Sequence, residues 1–345
     1  MANNALRNSA NEFYFQWHFL NSCNLRCTHC YQENYVPVEL PIEQLLTIAN
    51  RIIDALDKWG MYGRISLTGG EPFVSHSLYS LLDYLDSQER ICSIHILTNG
   101  TLITDSICEK LKKYKKLDEI QVSLDGGTAA VHDVTRGTGN FDKAINGIRL
   151  LKKYHFKVSS MFTITNKNKS DIINFIDLAV KEHIDYISLE RVTPCGHSDT
   201  KDILSKEELH SVFELINKKA EEFAGRLVVR RTRPLWTNLA DESKENKKVG
   251  GFCPVGFTCL AILCDGTLLP CRRLEIPIGN VLTDGIFKPW YSSKVLWDIR
   301  DKNNLKGKCH GCKKLSNCGG CRAVSYALTG DYLEEDPQCW MENQD

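Results

Sequence analysis

Six short runs of β-forming residues, each followed by a stretch with helical periodicity, constrain the fold of this chain more than any other feature. They begin near Glu12 and are Phe13–Phe19, Arg64–Thr68, Ile94–Thr98, Glu119–Leu124, Val158–Ile164 and Tyr186–Leu189. Pro41 precedes apolar residues at helical spacing, and Ser205-x-x-Glu208 is the signature of a capped helix start. Such alternation predicts an α/β protein with a parallel sheet, built as an open doubly wound sheet or as a full or partial barrel.

The residues that directly follow the strands are the candidates for chemistry, because ligands of both architectures bind beyond the carboxyl ends of the strands. After Arg226–Arg231 the β/α pattern gives way to a polar stretch, Thr237 to Gly250, and then to a cysteine-dense segment with little helical periodicity. We therefore predict two domains, one over residues 10–235 and one over residues 236–345.

The composition argues against several classes of partner. Forty-three Lys and Arg residues balance forty-three Asp and Glu residues, so no bulk field favours nucleic acid or an anionic membrane. The N-terminus from Met1 to Ser9 lacks an apolar signal core, and no apolar stretch approaches the roughly 20 residues of a membrane span. These features predict a cytoplasmic location, where thiols stay reduced and fifteen cysteines indicate metal rather than disulfides.

Three of the cysteines follow the first predicted strand, in the pattern Cys23-x3-Cys27-x2-Cys30. Three thiolates can hold three irons of a cubane cluster and leave the fourth iron open. The alternative is a zinc site. A structural zinc site, however, takes four protein ligands. His29 lies between Cys27 and Cys30 in the sequence, where its ring is poorly placed to bind the same ion as these thiolates.

This loop resembles the signature of the radical S-adenosylmethionine (SAM) superfamily, which has the same cysteine spacing after the first strand of a partial (β/α)6 TIM-like barrel. The resemblance implies a [4Fe–4S] cluster on Cys23, Cys27 and Cys30 that chelates SAM at its open iron and cleaves it to a 5′-deoxyadenosyl radical. Thr68-Gly69-Gly70-Glu71-Pro72 ends the second strand, where relatives direct the glutamate toward the methionine amino group. Glycines are expected there because the backbone must approach the ligand closely.

Further positions after the strands resemble those that line the SAM pocket of this superfamily. Asn99 and the segment Ser123-Leu124-Asp125 follow the third and fourth strands, although Asn-Gly and Asp-Gly are also ordinary turn dipeptides. Arg191 follows the sixth strand, and its guanidinium can pair specifically with the SAM carboxylate or, alternatively, form a surface salt bridge. The residues that the resemblance implies for SAM binding are His29, Gly69, Gly70, Glu71, Asn99, Ser123, Asp125, Asn166 and Arg191.

Nine of the fifteen cysteines lie between Cys253 and Cys339. Their order resembles the SPASM domain, the C-terminal module of radical SAM peptide maturases and anaerobic sulfatase-maturating enzymes, and Asp265-Gly266 predicts a hairpin turn within it. The resemblance implies two auxiliary [4Fe–4S] clusters with four thiolates each, which gives three clusters in all. The implied ligands are Cys253, Cys259, Cys271 and Cys321 for the first, and Cys309, Cys312, Cys318 and Cys339 for the second.

The link between two of these cysteines departs from the family pattern. Only Gly319 and Gly320 separate Cys318 from Cys321, where relatives usually have a longer link. Cys-x2-Cys is also the commonest zinc spacing, so a zinc ribbon stays open as an alternative. It would use Cys309, Cys312, Cys318 and Cys321, and would leave Cys253, Cys259, Cys271 and Cys339 as a second site.

Four cysteines have no place in these clusters. We expect Cys92 and Cys108 to be small buried hydrophobes. Cys264 is an alternative ligand, and Cys195 is a loop residue or faces substrate.

The resemblance implies a radical SAM oxidoreductase, and the leading prediction for its substrate is a ribosomally made precursor peptide that receives a crosslink or another modification. Only 22 residues precede Cys23, too few for the peptide-recognition domain of many relatives, so recognition is expected to use a separate protein or the enzyme's own cleft. Electrons are expected from a flavodoxin- or ferredoxin-type reductant.

Three other functions remain open. One is formylglycine formation in a sulfatase, and another is modification of a cofactor such as a tetrapyrrole. The third is a non-catalytic iron–sulfur electron carrier, which would not need the Gly69-Gly70-Glu71 motif. The sequence assigns no catalytic acid or base.

Overall fold

One sheet of ten strands organises the residues that the computed structural model describes, which are 11–32, 36, 38–239 and 253–342. The strands are β1 (Glu12–Leu20), β2 (Tyr62–Gly69), β3 (Ile91–Thr98), β4 (Leu117–Ser123), β5 (Val158–Ile164), β6 (Tyr186–Arg191), β7 (Val228–Arg230), β8 (Cys259–Ile262), β9 (Thr267–Leu269) and β10 (Gly279–Asn280). Their spatial order is β10-β9-β8-β1-β2-β3-β4-β5-β6-β7. Two predictions concern segments outside the described residues. One is the absence of a signal segment at the N-terminus, and the other is the polar stretch after Thr237, most of which is not described.

Strands β1 to β7 run parallel, and each pairs with the next one along the chain. The six predicted strands coincide with β1 to β6 to within a few residues at their ends. Among the described residues β7 and β10 form the two edges of the sheet, so the barrel is not closed. This confirms the predicted α/β fold with a partial barrel.

Helices connect the parallel strands and pack on the sheet in one apolar core. They are α1 (Ile42–Trp59), α2 (Leu78–Ser87), α3 (Asp105–Leu111), α4 (Ala129–Arg136), α5 (Asn140–Lys153), α6 (Ile172–Lys181) and α7 (Lys206–Glu222). Helix α1 begins directly after Pro41, as predicted. The capping box of α7 is also confirmed, because the Glu208 amide donates to Ser205 Oγ at 3.2 Å and the Ser205 amide donates to Glu208 Oε2 at 3.0 Å.

The alternation of side chains along β1 separates the core from a cavity. Its odd-numbered aromatic residues, Phe13, Phe15, Trp17 and Phe19, are fully buried in the core. The even-numbered Tyr14, Gln16 and His18 line the cavity on the other face of the strand. Because successive strand residues point to opposite faces, the aromatic run that anchors β1 also fixes which polar side chains reach the cavity.

The cysteine-dense segment extends the main sheet. Strand β8 pairs in parallel with β1, with Tyr14 opposite Cys259 and Trp17 opposite Ile262. The predicted turn at Asp265-Gly266 is confirmed, because β8 and β9 are antiparallel and Gly266 has a left-handed φ of +84°. The division into two domains near residue 235 stays a prediction, and the sheet runs across it.

Four short helices complete the C-terminal segment: α8 (Val281–Asp284), α9 (Phe287–Ser292), α10 (Lys294–Arg300) and α11 (Arg322–Thr329). The weak helical periodicity of this segment reflects their length, since α11, the longest of the four, has eight residues. Among the described residues, no helix combines the length and the apolar character that crossing a bilayer requires.

Candidate active site

A cavity of about 300 Å³ lies at the carboxyl ends of the parallel strands. The three cysteines of the first loop line it, together with Gly69, Gly70 and Glu71 from the end of β2. Across the cavity lie Glu190 and Arg191 of β6 and residues of the C-terminal segment, among them Cys259 and Cys271. The predicted cysteine loop and the predicted glycine–glutamate motif therefore face one space.

The cysteine loop presents its three thiols to this cavity. The Leu25 amide donates to Cys23 Sγ at 3.4 Å, and the Gln32 amide donates to Cys30 Sγ at 3.4 Å. Burial raises the pKa of Cys23 to about 11 and also raises the pKa of Cys27. A metal that binds the thiolates would supply the positive charge that offsets this burial.

The glycines of the motif are required by the loop's own backbone. The Gly70 amide donates to Leu20 O at 2.8 Å, and the Glu71 amide donates to Ser22 O at 2.9 Å. A Cβ on Gly70 would lie 1.9 Å from Ser22 O, and one on Gly69 would lie 2.1 Å from Leu20 O. These glycines thus let the end of β2 dock on the segment that leads into the cysteines, and the expected close approach to a ligand stays a prediction.

Glu71 is a fully buried carboxylate at the wall of the cavity. It accepts hydrogen bonds from Thr98 Oγ1 at 2.6 Å, the Asn99 amide at 2.7 Å and the Phe73 amide at 3.3 Å. Burial still raises the pKa of Glu71 to about 7, because these donors offset only part of the desolvation. A ligand that brings an amino group to this carboxylate would favour its ionised form, which fits the contact implied for SAM.

His29 and Asp125 belong to one buried network. His29 lines the cavity, and its Nε2 lies 2.8 Å from Asp125 Oδ2. Arg136 Nε donates to the same oxygen at 2.6 Å. Burial alone would raise the pKa of Asp125, but Arg136 and His29 hold it well below its ordinary value. Asp125 lies behind the cavity and acts on it through these two side chains.

Asn99 and Ser123 both line the cavity at the ends of β3 and β4. The Asn99 side chain also ties the cysteine loop to β3, because its Nδ2 donates to Asn24 Oδ1 at 2.9 Å.

The structure does not bring Asn166 to the cavity. Its side chain is exposed, and its Nδ2 donates to Lys201 O at 3.1 Å and to Ile203 O at 2.6 Å. The predicted contact with SAM is therefore corrected. The amide of Asn166 holds the connection between β6 and α7, since both of its hydrogens are used there.

Arg191 lies in the cavity wall, but the carboxylate it pairs with belongs to the protein. Its Nη1 donates to Asp336 Oδ1 at 2.8 Å and to Gln338 Oε1 at 2.9 Å, and its Nη2 donates to Asp336 Oδ2. The bidentate partner that the sequence assigned to SAM is thus Asp336. A contact between Arg191 and SAM stays a prediction.

Seven of the eight candidate auxiliary ligands fall into two electrostatically coupled sets, and the Cys312 amide donates to Cys309 O at 3.4 Å. Burial, and then neighbouring Cys321 and Cys271, raise the pKa of Cys253 to about 11. Burial, together with Cys253 and Cys271, raises the pKa of Cys259. In the other set, burial is the main cause that raises the pKa values of Cys309 and Cys339, and Cys318 adds to both.

A site for a single metal ion, such as zinc, requires several side chains to converge on one point. Across the part of the chain that the structure describes, no three His, Cys, Asp or Glu side chains converge where one metal ion could be held. A four-iron cluster needs no such convergence, because each thiolate binds a different iron, whereas zinc takes all its ligands on one ion.

The four remaining cysteines have no assigned cluster. Burial raises the pKa of Cys195 to about 12, and neighbouring Cys271 of the first set adds to the rise. Cys92 and Cys108 are buried, as expected for small hydrophobes, and Cys92 Sγ donates to Gly63 O at 3.3 Å. Cys264 is buried as well. Cys195 Sγ donates to Thr193 O at 3.5 Å.

Several residues of the site were not singled out by the sequence. Thr98 and Arg136, which are not among the predicted SAM-binding residues, hold Glu71 and Asp125 in place. Asp336 carries no motif and lies 145 positions after its partner Arg191. Arg233, Arg272 and Arg273 line the cavity from outside the strand ends on which the prediction was based.

Comparison with known proteins agrees with this geometry. Residues 17–179 match the radical SAM superfamily, and residues 253–313 match the SPASM iron–sulfur cluster-binding domain. The AdoMet-dependent heme synthase of Methanosarcina barkeri is 30% identical over 342 residues, covering 94% of this chain and 95% of the relative. The mycofactocin maturase MftC of Mycobacterium tuberculosis is 29% identical, covering 94% and 81%.

A solved structure has the same fold. Streptococcus suis SuiB, in a crystal structure with its precursor peptide SuiA, superposes with a TM-score of 0.75 at 20% identity, covering 96% of this chain and 76% of SuiB.

The α/β sheet, the cysteine loop and the glycine–glutamate motif thus define an enzyme that uses SAM and an iron–sulfur cluster. The chain belongs to the radical SAM superfamily and carries a SPASM domain.

Proposed function

We propose that Cys23, Cys27 and Cys30 hold a [4Fe–4S] cluster, that SAM binds its open iron, and that the enzyme abstracts hydrogen from a precursor peptide to install a crosslink or another modification. The cluster and SAM would supply a 5′-deoxyadenosyl radical, and the protein would bind and orient the reactants. The observation that carries this proposal is the convergence of the three thiols and buried Glu71 on one cavity.

The chain's own residues have separable tasks in this proposal. Glu71, fixed by Thr98 and the Asn99 amide, would accept hydrogen bonds from the methionine amino group. His29 is held by Asp125 at the cavity wall, where a fixed ring can orient SAM without moving. The 300 Å³ cavity bounded by β1, β6 and the C-terminal segment would exclude bulk water from the reacting groups.

We assign two auxiliary [4Fe–4S] clusters to the C-terminal segment. Their ligands would be Cys253, Cys259, Cys271 and Cys321, and Cys309, Cys312, Cys318 and Cys339. The electrostatic coupling of Cys253 to Cys321, and of Cys339 to Cys318, supports this grouping. It speaks against the zinc-ribbon grouping, which would exchange Cys321 and Cys339 between the sets.

A peptide substrate is supported by two relatives. SuiB, which shares the fold, was crystallised with a precursor peptide, and a mycofactocin maturase is 29% identical over nearly the whole chain. We expect a flavodoxin- or ferredoxin-type reductant, and recognition of the peptide by a separate protein or by the enzyme's own cleft.

A tetrapyrrole is the second candidate substrate. It is favoured by 30% identity to an AdoMet-dependent heme synthase over almost the full length of both chains.

The test is an anaerobic assay with reconstituted enzyme, SAM and dithionite. One arm contains synthetic peptides encoded by any short reading frames found beside the gene, and the other contains a tetrapyrrole carboxylate. The proposal expects a SAM-dependent loss of hydrogen from the peptide, detected by mass spectrometry and absent with Cys27→Ala. A change in the tetrapyrrole with no change in any peptide would replace the first candidate by the second.

A further inference from the structure

Five arginines line the cavity, but two of them are neutralised by the protein from behind. Arg136 pairs with Asp125, and Arg191 pairs with Asp336, and both of these carboxylates are fully buried. In each buried pair the carboxylate cancels the positive charge of its arginine, so these two arginines require no anionic ligand. The other three arginines, Arg233, Arg272 and Arg273, lie on the side of the cavity formed by the C-terminal segment and the chain after β7.

These three side chains are incompletely paired. Arg233 reaches Glu190 only at 3.5 Å, through Nε. Arg272 Nη1 donates to Glu275 Oε1 at 2.6 Å, and its Nη2 donates to Tyr31 O at 2.8 Å. Arg273 makes no hydrogen bond or ion pair with any described residue.

Two buried nitrogens on this cavity lack a partner among the described residues. They are Arg272 Nε and His18 Nε2, and both residues are more than nine-tenths buried. An unsatisfied buried donor costs about 1–3 kcal/mol, so proteins seldom keep one without a ligand or water that satisfies it. An acceptor that enters the cavity would satisfy Arg272 Nε and, in the matching tautomer, His18.

The protein supplies fewer carboxylates than guanidinium groups on this side of the cavity. The three arginines face only Glu190 and Glu275, and the Glu275 side chain is 36% exposed. Their other acidic neighbours include the thiols of Cys253, Cys271 and Cys321. Arginine presents its donors as a planar fork that suits a carboxylate, which makes three of them a specific site for that group. Arg272 also contacts Tyr31, the residue after Cys30, so the site opens on the same space as the cysteine loop.

We propose that Arg233, Arg272 and Arg273 bind a carboxylate of the substrate and thereby position the neighbouring carbon for hydrogen abstraction. This inference rests on the proposed function for the identity of the substrate as a peptide. The carboxylate is then the peptide's C-terminus or an acidic side chain. Anchoring one end of the substrate fixes the distance of its reacting hydrogen from SAM.

The rival explanation is that the arginines balance the charge of the auxiliary cluster, because Arg273 lies near Cys321 and Cys271, and Arg233 lies near Cys253 and Cys271. The rival explanation requires only positive charge near the thiolates, which a lysine would preserve. The proposal also requires the planar guanidinium donors, which a lysine lacks. Arg→Lys variants therefore distinguish the two explanations.

The experiment measures retention of probe molecules on anaerobically reconstituted full-length enzyme with SAM. Three sets of N-acetylated synthetic peptides are compared by mass spectrometry: amidated peptides without Asp or Glu, the same sequences as free acids, and amidated peptides with Asp or Glu. A further arm compares mesoporphyrin with its dimethyl ester. We expect at least one carboxylate-bearing set to be retained roughly tenfold or more over its carboxylate-free counterpart.

The variants are Arg233→Lys and Arg273→Lys, alone and combined, with exposed Arg51→Lys on α1 as the matched control. We expect the double variant to keep its iron content and lose most of the preference for carboxylates, while Arg51→Lys keeps it. Equal retention of acids and their neutral counterparts by the parent enzyme would overturn the proposal, as would full preference in the double variant.

Failure of the proposed function has a different signature. If no peptide set is retained but free mesoporphyrin is preferred over its ester, the carboxylate site stands and the peptide assignment fails.

Discussion

The two cysteine-rich regions of the molecule are held in place by different means. The first loop is bound to the sheet by backbone hydrogen bonds, from Gly70 to Leu20 and from Glu71 to Ser22, above a core of fully buried residues. The C-terminal segment has short helices and a small apolar cluster of its own. Two members of that cluster, Cys259 and Cys321, are themselves candidate ligands. The first site is therefore shaped by the fold, whereas we expect the second to depend on the proposed clusters for part of its stability.

Removal of iron should show this difference most strongly. After anaerobic chelation, we expect amide hydrogen exchange to accelerate by orders of magnitude in peptides from residues 300–342, because cluster binding supplies folding free energy there. Peptides from β2 to β5 should keep their protection. Hydrogen-exchange mass spectrometry checks both regions in one sample, and equal acceleration in both would contradict the comparison.

The ion pair between Arg191 and Asp336 should be a strong link between strand β6 and the C-terminal segment. Asp336→Ala leaves the buried guanidinium without its carboxylate, which should lower the free energy of unfolding by about 3–5 kcal/mol. Asp54→Ala removes a partner of Lys58 from a pair in which both side chains are half exposed, and should cost only about 0–1 kcal/mol. Anaerobic denaturant titrations measure both, and similar losses would remove the special role of Asp336.

A methyl group at Gly70 should disturb the first region by steric overlap. Gly70→Ala places Cβ against Ser22 O, so the cysteine loop must move, at a cost of about 1–3 kcal/mol. Gly63→Ala is the matched control, because its Cβ would meet the flexible end of Leu56 instead of backbone. We expect weaker SAM binding in the first variant only, measured by equilibrium dialysis. Unchanged affinity in Gly70→Ala would show that the contact does not shape the site.

The smallest expected effect is a pH dependence at Glu71. Its pKa of about 7 means that the folded protein holds a proton there that the unfolded chain releases near pH 4. The stabilisation from that proton is therefore present at low pH and is lost as the pH rises through 7.

SAM binding should show the opposite trend, because only the ionised carboxylate accepts two hydrogen bonds from an amino group. We expect SAM affinity to fall up to roughly tenfold for each pH unit below 7. Glu71→Gln should lose this part of the slope, so parallel profiles for parent and variant would refute the role of the carboxylate.

The sequence predicts the local features of the molecule well and the distant ones poorly. The strands, the capping box at Ser205 and the turn at Asp265-Gly266 follow from short patterns, and the structure confirms them. Pairing of β8 with β1 joins residues about 245 positions apart, so no local pattern reports it.

The residues of the candidate site were likewise predictable only where a short local motif carries them. The cysteine loop and Glu71 were found because a short motif carries them, whereas the partner of Arg191 is 145 positions away. Asn166 shows the converse error, since a polar residue after a strand can bond its own loops instead of the cavity.

The most direct test of the account is the separation of radical initiation from the auxiliary site. Three cubane clusters require about twelve irons per chain. We predict that replacing Cys23, Cys27 and Cys30 together by alanine removes about four of these and abolishes cleavage of SAM to 5′-deoxyadenosine.

Cys312→Ser should instead leave dithionite-driven cleavage of SAM intact and strongly reduce product, with buried Cys108→Ser as the control. Circular dichroism and iron content establish first that each variant is folded. The account is contradicted if the triple variant still cleaves SAM, or if stoichiometric zinc replaces the iron of the C-terminal sites.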